Sequence, residues 1–503
     1  MAPSHIRYAA SRAAGILLAL ALSATHAVAA GESDAQRDVG LRPSLSVGQS
    51  VAQAGDRVPS AAGNTGYISS GELSGHPKTK RAARKTPAKR VSSPTPEPPP
   101  VLPGQKMNPR IGSLTPPPIH KKPIDQDPFG PVGFHAGAFL VKPSVEINEG
   151  YDSNPYRVPN GPSSAFTELR GQLTAKSEWS RHEMQLDLRG SYIAYSGVDH
   201  LDRPSGDAAL RGKIDISRDL RIEYTERAQL STLVPGLPGS VSGAKQLPYV
   251  YTLGTGAGLV KQFNRLELGL YGEVTRNIYE DADLLSGSTL NLSDFNYNDY
   301  TVRLRGSYEV TPGLKPFAEV AADTRRFDTA INTFGIEQGS DGYKAEAGVE
   351  FDRPDLIKGR FGLGYMTRSY VDPTLPNISG LLIDSSLIWK PSALMQVKLD
   401  FNTTINESVT TGAAGIFTRE GKVTVDHWFR RWLVGSVFAS YATDQYRGTT
   451  RVDDRWTYGA ALTYSINRML ALRGELRHEE LSSNTPGVDY KADVAMLGLR
   501  LQR

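Results

Sequence analysis

Residues 141–157 read VKPSVEINEGYDSNPYR, and the way this stretch alternates and then stops decides the fold. Val141, Pro143, Val145 and Ile147 fall on one side of an extended chain. Lys142, Ser144, Glu146 and Asn148 fall on the other, because successive side chains of a strand point to opposite faces. The alternation ends at Asp152-Ser153-Asn154-Pro155, where Asx side chains and a proline favour a turn and cannot extend a ladder. The two side-chain oxygens that Asp152 and Asn154 offer fall far short of a calcium shell, so the cluster reads as a turn. Tyr151 and Tyr156 flank it, and both are expected at a boundary between apolar and aqueous media.

The same period of two recurs to the end of the chain. In EMQLDLRGSYIAYS, Met184, Leu186, Leu188, Tyr192 and Ala194 oppose Gln185, Asp187, Arg189 and Ser191. In YTVRLRGSYEV, Tyr300, Val302, Leu304, Tyr308 and Val310 oppose Thr301, Arg303, Arg305, Ser307 and Glu309. DGYKAEAGVEF and WTYGAALTYSI repeat the pattern, and no long segment has a helical period. Tight links such as WSR at Trp179, FNR at Phe263 and NRM at Asn467 alternate with longer polar loops beginning near Gly150, Gly197, Ser231, Asn277, Phe327, Val371, Asn406, Asp444 and Glu479.

About eight short and nine long links imply about 18 strands (16–18) in an antiparallel up-and-down meander, with all long loops at one end. Strands of about 10 residues suit a tilted span of a bilayer. Lipid demands closure, because an open edge leaves backbone groups unpaired in hydrocarbon. The reading is an all-β transmembrane barrel over residues 134–503, its apolar face toward lipid and its polar face toward a watery lumen.

The segment before it differs. His5, Arg7 and Arg12 precede the apolar run AAGILLALAL and the small residues Ala27, Ala29 and Ala30, the pattern of a cleaved secretory signal over residues 1–30. Residues 31–133 lack periodicity and cluster prolines at Pro94, Pro96, Pro98–Pro100 and Pro116–Pro118. They also carry a basic run through Lys78, Lys80, Arg81, Arg84, Lys85, Lys89 and Arg90. Such a composition predicts a disordered periplasmic tether, whose charge suits anionic lipid or cell-wall polymer. With no cysteine there are no disulfides or thiolate metal sites. A formal charge of +4 over 503 residues argues against nucleic acid as the partner.

At this point the chain resembles the outer-membrane β-barrel proteins grouped as beta-barrel porin 2. The resemblance rests on GAFLVKPSVEINEGYDSNPYR opening the barrel, on the serial hairpins and on a last strand running to the final residue. It implies a Gram-negative outer-membrane barrel, a lipid environment, the barrel-assembly machinery as a partner and an association with exopolysaccharide systems. It implies no catalytic residues and no cofactor. Many such barrels end in an aromatic residue read by the assembly machinery; here the in-phase terminal position is Arg503.

Enzyme signatures do not stand out. The barrel region holds His135, His182, His200, His427 and His478, and only His200, beside Asp199 and Asp202, has carboxylates near it in a long loop. No HExxH, GxSxG or phosphate-binding fingerprint appears, so neither catalysis nor a metal site is expected. The lumen face is predicted to carry Arg189, Arg211, Arg221, Arg227, Arg303, Arg305, Arg473 and Arg477 with Glu223, Glu346 and Glu475. These residues either line a pore that sorts solutes by charge, with arginine forks suited to anionic polysaccharide, or form cross-strand ion pairs that order the wall. The function expected is a polar-lined pore assisting polysaccharide or other solute passage. The alternative is a plugged barrel anchoring a periplasmic or cell-wall partner through the basic tether. Runs such as PYVYTLG and FNYNDY are expected to supply interfacial aromatics.

Overall fold

The computed structural model describes residues 129–241, 243–353, 355–408 and 412–503. The signal segment and nearly all of the expected tether lie outside these residues. No helix among the described residues is long and apolar enough to cross a membrane.

The described chain is a succession of long strands: β1 (Phe139–Asp152), β2 (Ser164–Ser177), β3 (Glu183–Tyr195), β4 (Arg203–Asp215), β5 (Leu220–Thr232), β6 (Tyr249–Phe263), β7 (Leu266–Tyr279), β8 (Tyr297–Tyr308) and β9 (Leu314–Phe327). They continue with β10 (Ser340–Arg353), β11 (Ile357–Tyr370), β12 (Ile378–Ser392), β13 (Met395–Asn406), β14 (Gly415–Arg430), β15 (Leu433–Arg447), β16 (Val452–Ser465), β17 (Leu470–Ser483) and β18 (Tyr490–Gln502). Each pairs antiparallel with the next. The ring closes where β1 meets β18 from Ser144↔Gln502 to Asp152↔Val494. This is the closed 18-stranded barrel expected from the link pattern. Compounded around the ring, the registers give a shear of about 22 residues, which with ordinary strand spacing and rise sets a tilt of about 40°. The strands pack extensively only on their two ladder neighbours, as a hollow wall must.

Burial follows the two-residue period. On β18, Ala492, Val494, Met496 and Arg500 are buried inward while Leu497, Leu499 and Leu501 are exposed outward. The opening stretch behaves in the same way: Glu146, Asn148 and Asp152 are buried, Val145, Ile147 and Tyr151 exposed. Outward aromatics gather in two belts, Tyr300, Tyr343, Tyr365, Trp456 and Tyr458 near the long-loop end, Tyr308, Trp389, Phe429, Trp432 and Tyr464 near the tight turns. The leucines and valines between them form the band that meets hydrocarbon. Prolines fall where the ladder tolerates them: Pro204 and Pro316 near strand starts, Pro391 at the register irregularity between Trp389 and Ser392.

Two expectations need correction. The link between β15 and β16 is only residues 448–451, as short as the tight turn at 466–469, so the length asymmetry lapses there while the hairpin order holds. Tyr156 is not interfacial. It is half-buried, stacks on His200 at 5.6 Å between ring centres and packs on a cluster containing Phe166, Tyr195 and Met496.

Candidate functional site

The lumen wall is an ion-paired surface. All eleven residues named from the sequence have the inward phase. Arg303 and Arg305 of β8 reach Glu319 of β9 at 3.4 and 3.2 Å, and Lys344 of β10 approaches the same carboxylate at 3.6 Å. Arg360 of β11 bridges Glu346 and Asp384. On the far side, Arg473 pairs with Glu475, and Arg477 meets Glu475 at 3.4 Å and Glu479 at 2.7 Å. Arg221 holds Glu223 at 2.6 Å and Glu267 at 2.9 Å. Arg211, in a more open position, holds Asp187 at 2.9 Å. Arg189 lies in register between Gln172 and Asp207, and Arg227 between Ala209 and Gly254. Cations and carboxylates therefore alternate around the wall, and neither sign forms an uninterrupted ring.

Inward aromatics, which the alternation alone did not flag as lumen residues, organise these cations. Phe317 of β9 lies under two guanidinium groups, Arg305 at 4.0 Å and Arg360 at 5.2 Å from its centroid. Tyr271 of β7 lies under Arg303 at 4.4 Å. Tyr297, expected in the interfacial belt, instead points inward, is 1% exposed and carries Arg325. Their signal was phase: Tyr297 shares its side of β8 with Arg303 and Arg305.

The external mouth is built from loops folded inward. Asp152, at the end of the opening strand, receives Nη1 of Arg157 at 2.8 Å and the Tyr195 hydroxyl at 3.1 Å, and Arg157 Nε donates to Glu479 at 2.9 Å. Burial alone would depress the Arg157 guanidinium, but Glu479 and Asp152 outweigh it and hold its pKa well above the usual value. The turn after β1 thus carries its own internal cation in place of a metal. Loop 233–248 lies across this cluster: a Cβ added to Gly236, whose φ is +77°, would meet Tyr490 at 2.4 Å and Arg157 at 2.8 Å. Only glycine fits that position.

A second device closes the opposite side. The β12–β13 ladder runs from Ser392↔Met395 only as far as Asp384↔Asn402, and above it the β13–β14 hairpin leaves the wall. Its formally outward residues Ile405 and Phe417 become buried against Ile378, Met366 and Tyr370 on the lumen side of β11 and β12. Arg325 of β9 anchors it, donating to Glu407 at 2.6 Å and to the Ile405 carbonyl at 3.1 Å. Nearby loops are stapled by carboxylates to backbone amides: Asp281 to Leu292 and Ser293, Asp294 to Thr333, Asp372 to Glu337 and Thr374. An open cleft remains between them, bordered by Phe327, Phe334, Tyr370 and Glu407.

The histidines do not converge. Asp202 accepts from the Tyr192 hydroxyl at 2.6 Å rather than from His200, and the Asp199 side chain lies outside the described residues. His182 Nδ1 accepts from the Asp215 amide at 3.2 Å, and His478 pairs with Asp493 on the outer face at 2.7 Å. Among the described residues no group of three or more potential ligands is placed to hold a metal.

A family model described as Putative beta-barrel porin 2 matches residues 127–503. No curated protein matches the chain. Among solved structures, OccK3 (OpdO) of Pseudomonas aeruginosa is similar at 14% identity over 72% of this chain and 95% of its own, with a TM-score of 0.35. The copper transporter OprC is similar at 10% identity, covering 74% and 82%, with a TM-score of 0.42. The siderophore receptor PirA of Acinetobacter baumannii is similar at 7% identity, covering 72% and 80%, with a TM-score of 0.36. At such identities none of the three bears on cargo.

Proposed function

The chain belongs to the beta-barrel porin 2 family, and from that premise we propose that it passes hydrophilic, carbohydrate-type solutes through its lumen. It is an outer-membrane barrel of a Gram-negative bacterium. The observation that carries the reading is the coexistence of a closed hollow wall with a lining rich in paired charges of both signs. A barrel of this strand number encloses an aqueous channel. Paired arginines and carboxylates present hydrogen-bonding groups at every level without trapping either sign of ion. A chain of hydroxyls exchanging hydrogen bonds with such a wall passes more readily than a polyanion. The family's association with exopolysaccharide systems supports a glycan as cargo. We read the barrel as a channel without catalytic chemistry, in keeping with its family and with the dispersed histidines.

The inward loops narrow the entrance, and they favour a second reading in which the barrel is plugged and anchors a partner through the basic segment before it. Purified full-length protein in planar bilayers separates the two. Stepwise conductance with partial blockade by soluble oligosaccharide is the expected result. Silence in the wild type, persisting when residues 31–128 are deleted and when the Arg325–Glu407 contact is removed, would sink the pore and leave the anchor.

A further inference from the structure

The lumen wall carries a furrow along β6. Three consecutive inward positions of β6 are glycine, at Gly254, Gly256 and Gly258. The register sets each between longer side chains on β5 and β7: Arg227–Gly254–Thr275, Thr225–Gly256–Glu273 and Glu223–Gly258–Tyr271. Flanking walls two strand spacings apart, roughly 10 Å between backbones, leave a trough one side chain deep running along the barrel. Its lower part forms an open cleft lined by Glu223, Thr225, Gly256, Tyr271, Glu273 and Arg303.

Glycine is unfavourable inside a strand, so it normally marks a place where something approaches the backbone closely. Elsewhere on the lumen face that something is visible: an added Cβ would strike Asn148 at Gly498, Asp323 at Gly342 and Phe417 at Gly380. Gly258 is also accounted for, since the Tyr271 ring lies over it with Cδ1 2.1 Å from an added Cβ. Gly254 and Gly256 are different. A Cβ there would meet its nearest neighbours at 3.5 and 3.4 Å, ordinary contact distances, so packing does not demand glycine. A second observation points the same way. Thr225, 4% exposed and lining the cleft beside Gly256, has a hydroxyl with no hydrogen-bond partner, and buried hydroxyls are rarely left so. Opposite it, Glu273 accepts a long bond, 3.4 Å from Thr275, and has Arg227 and Arg303 among its charged neighbours.

We propose that this furrow is a binding track for an uncharged pyranose chain, one ring seated over Gly256 between Thr225 and Glu273. The carboxylate accepts two sugar hydroxyls, Thr225 exchanges one, and the Tyr271 ring, with Arg303 stacked on it, sets the lower end of the seat. Glu223 and Glu273 are matched by Arg221 and Arg303 at the same level, so the seat carries no excess of either sign and suits an uncharged chain. The inference deepens the carbohydrate-pore reading and rests on it for its physiological meaning, while binding itself can be tested apart from transport.

The test uses full-length protein, with maltohexaose as probe and hexagalacturonate as the acidic comparison. Affinity is read by isothermal titration calorimetry in detergent and by current blockade in bilayers. Gly256→Leu fills the trough, Glu273→Gln and Thr225→Val remove its polar contacts, and Thr457→Leu adds bulk to the lumen face of β16, away from the furrow. Gly256→Ala, which has room, guards against misfolding as the cause of any loss. Maltohexaose binding should weaken at least fivefold in Gly256→Leu and Glu273→Gln and change less than twofold in Thr457→Leu. Calorimetric binding with this pattern but no conductance would leave the furrow standing and remove the pore. No maltohexaose binding by the wild type, equal weakening by Thr457→Leu, or tighter hexagalacturonate binding insensitive to Gly256→Leu would overturn the track.

Discussion

Arg325 of β9 holds Glu407, which stands beyond the end of β13 and four strands further around the wall, at 2.6 Å. The guanidinium also takes Asp299 at 3.0 Å and lies 5.5 Å from the Tyr297 ring centre. A cation so placed ties an inward-bent hairpin to a strand four places away around the mouth. Removing one partner of a buried pair is costly, roughly 3–5 kcal/mol, because the other charge is stranded. Glu407→Gln keeps shape and a hydrogen-bond acceptor while removing the charge, so it should loosen the hairpin without unfolding the barrel. The expected outcome is a higher single-channel conductance and longer open periods, with unchanged heat-modifiable migration on gels. Conductance equal to wild type would mean that the hairpin does not limit flow.

The loop carboxylates make that mouth acid-sensitive. The Thr333 hydroxyl and then its amide hold Asp294 below the usual carboxylate pKa, and the Thr374 hydroxyl, its amide and that of Glu337 do the same for Asp372. Because the folded values are depressed, this stabilisation is complete above the unfolded value of about 4 and is lost as pH falls through the folded values. Loop 328–339, held by both, should gain hydrogen exchange, corrected for intrinsic rate, between pH 5 and pH 3. Asp372→Asn should show the faster exchange already at pH 5 and a flatter profile below it.

Charge pairing in the wall predicts weak ion selectivity. In a salt gradient the wild-type reversal potential should lie near zero. Arg360→Met keeps a stem over Phe317 but leaves Glu346 and Asp384 without their shared cation. The reversal potential should then move toward cation preference, and the barrel should lose roughly 3–5 kcal/mol in urea unfolding. A strong anion preference in the wild type would instead show that the arginines act on solutes despite their partners.

The two-residue period made the barrel legible, because lipid outside and water inside impose opposite polarity on adjacent residues. It also gave each wall residue its side, since a charge such as Arg303 is costly against hydrocarbon. What it did not give was partnership. Glu319, Phe317 and Tyr271 owe their roles to register across neighbouring strands, which depends on how far each hairpin slides, and no single strand encodes that. The mouth was less legible still. Arg157 looks like any loop residue until the chain brings Glu479 to it, and Ile405 and Phe417 look lipid-facing until the ladder between β12 and β13 parts. Gly254 and Gly256 carry no signal of their own, because their meaning lies in what flanks them on β5 and β7.

Glu226 breaks the rule that made the fold readable. It lies at the midpoint of β5, on the face opposite the lumen residue Thr225, and its carboxylate is bonded by Thr255 Oγ1 at 2.7 Å. Beside it on the outer face stand Leu210 and Tyr224, so this is a carboxylate within the lipid-facing band. Acidic groups there cost less than the ~2–4 kcal/mol of a lysine or arginine at mid-membrane, but they still cost. Glu226→Leu should therefore raise stability by about 1 kcal/mol in urea unfolding from lipid vesicles, and Glu226→Lys should lower it by more than leucine raises it. The gain should grow when Thr255→Val is already present, since the carboxylate has then lost the hydroxyl that offsets part of its cost. A loss of stability in Glu226→Leu would mean that the carboxylate has a polar partner on its outer side, where lipid alone offers none.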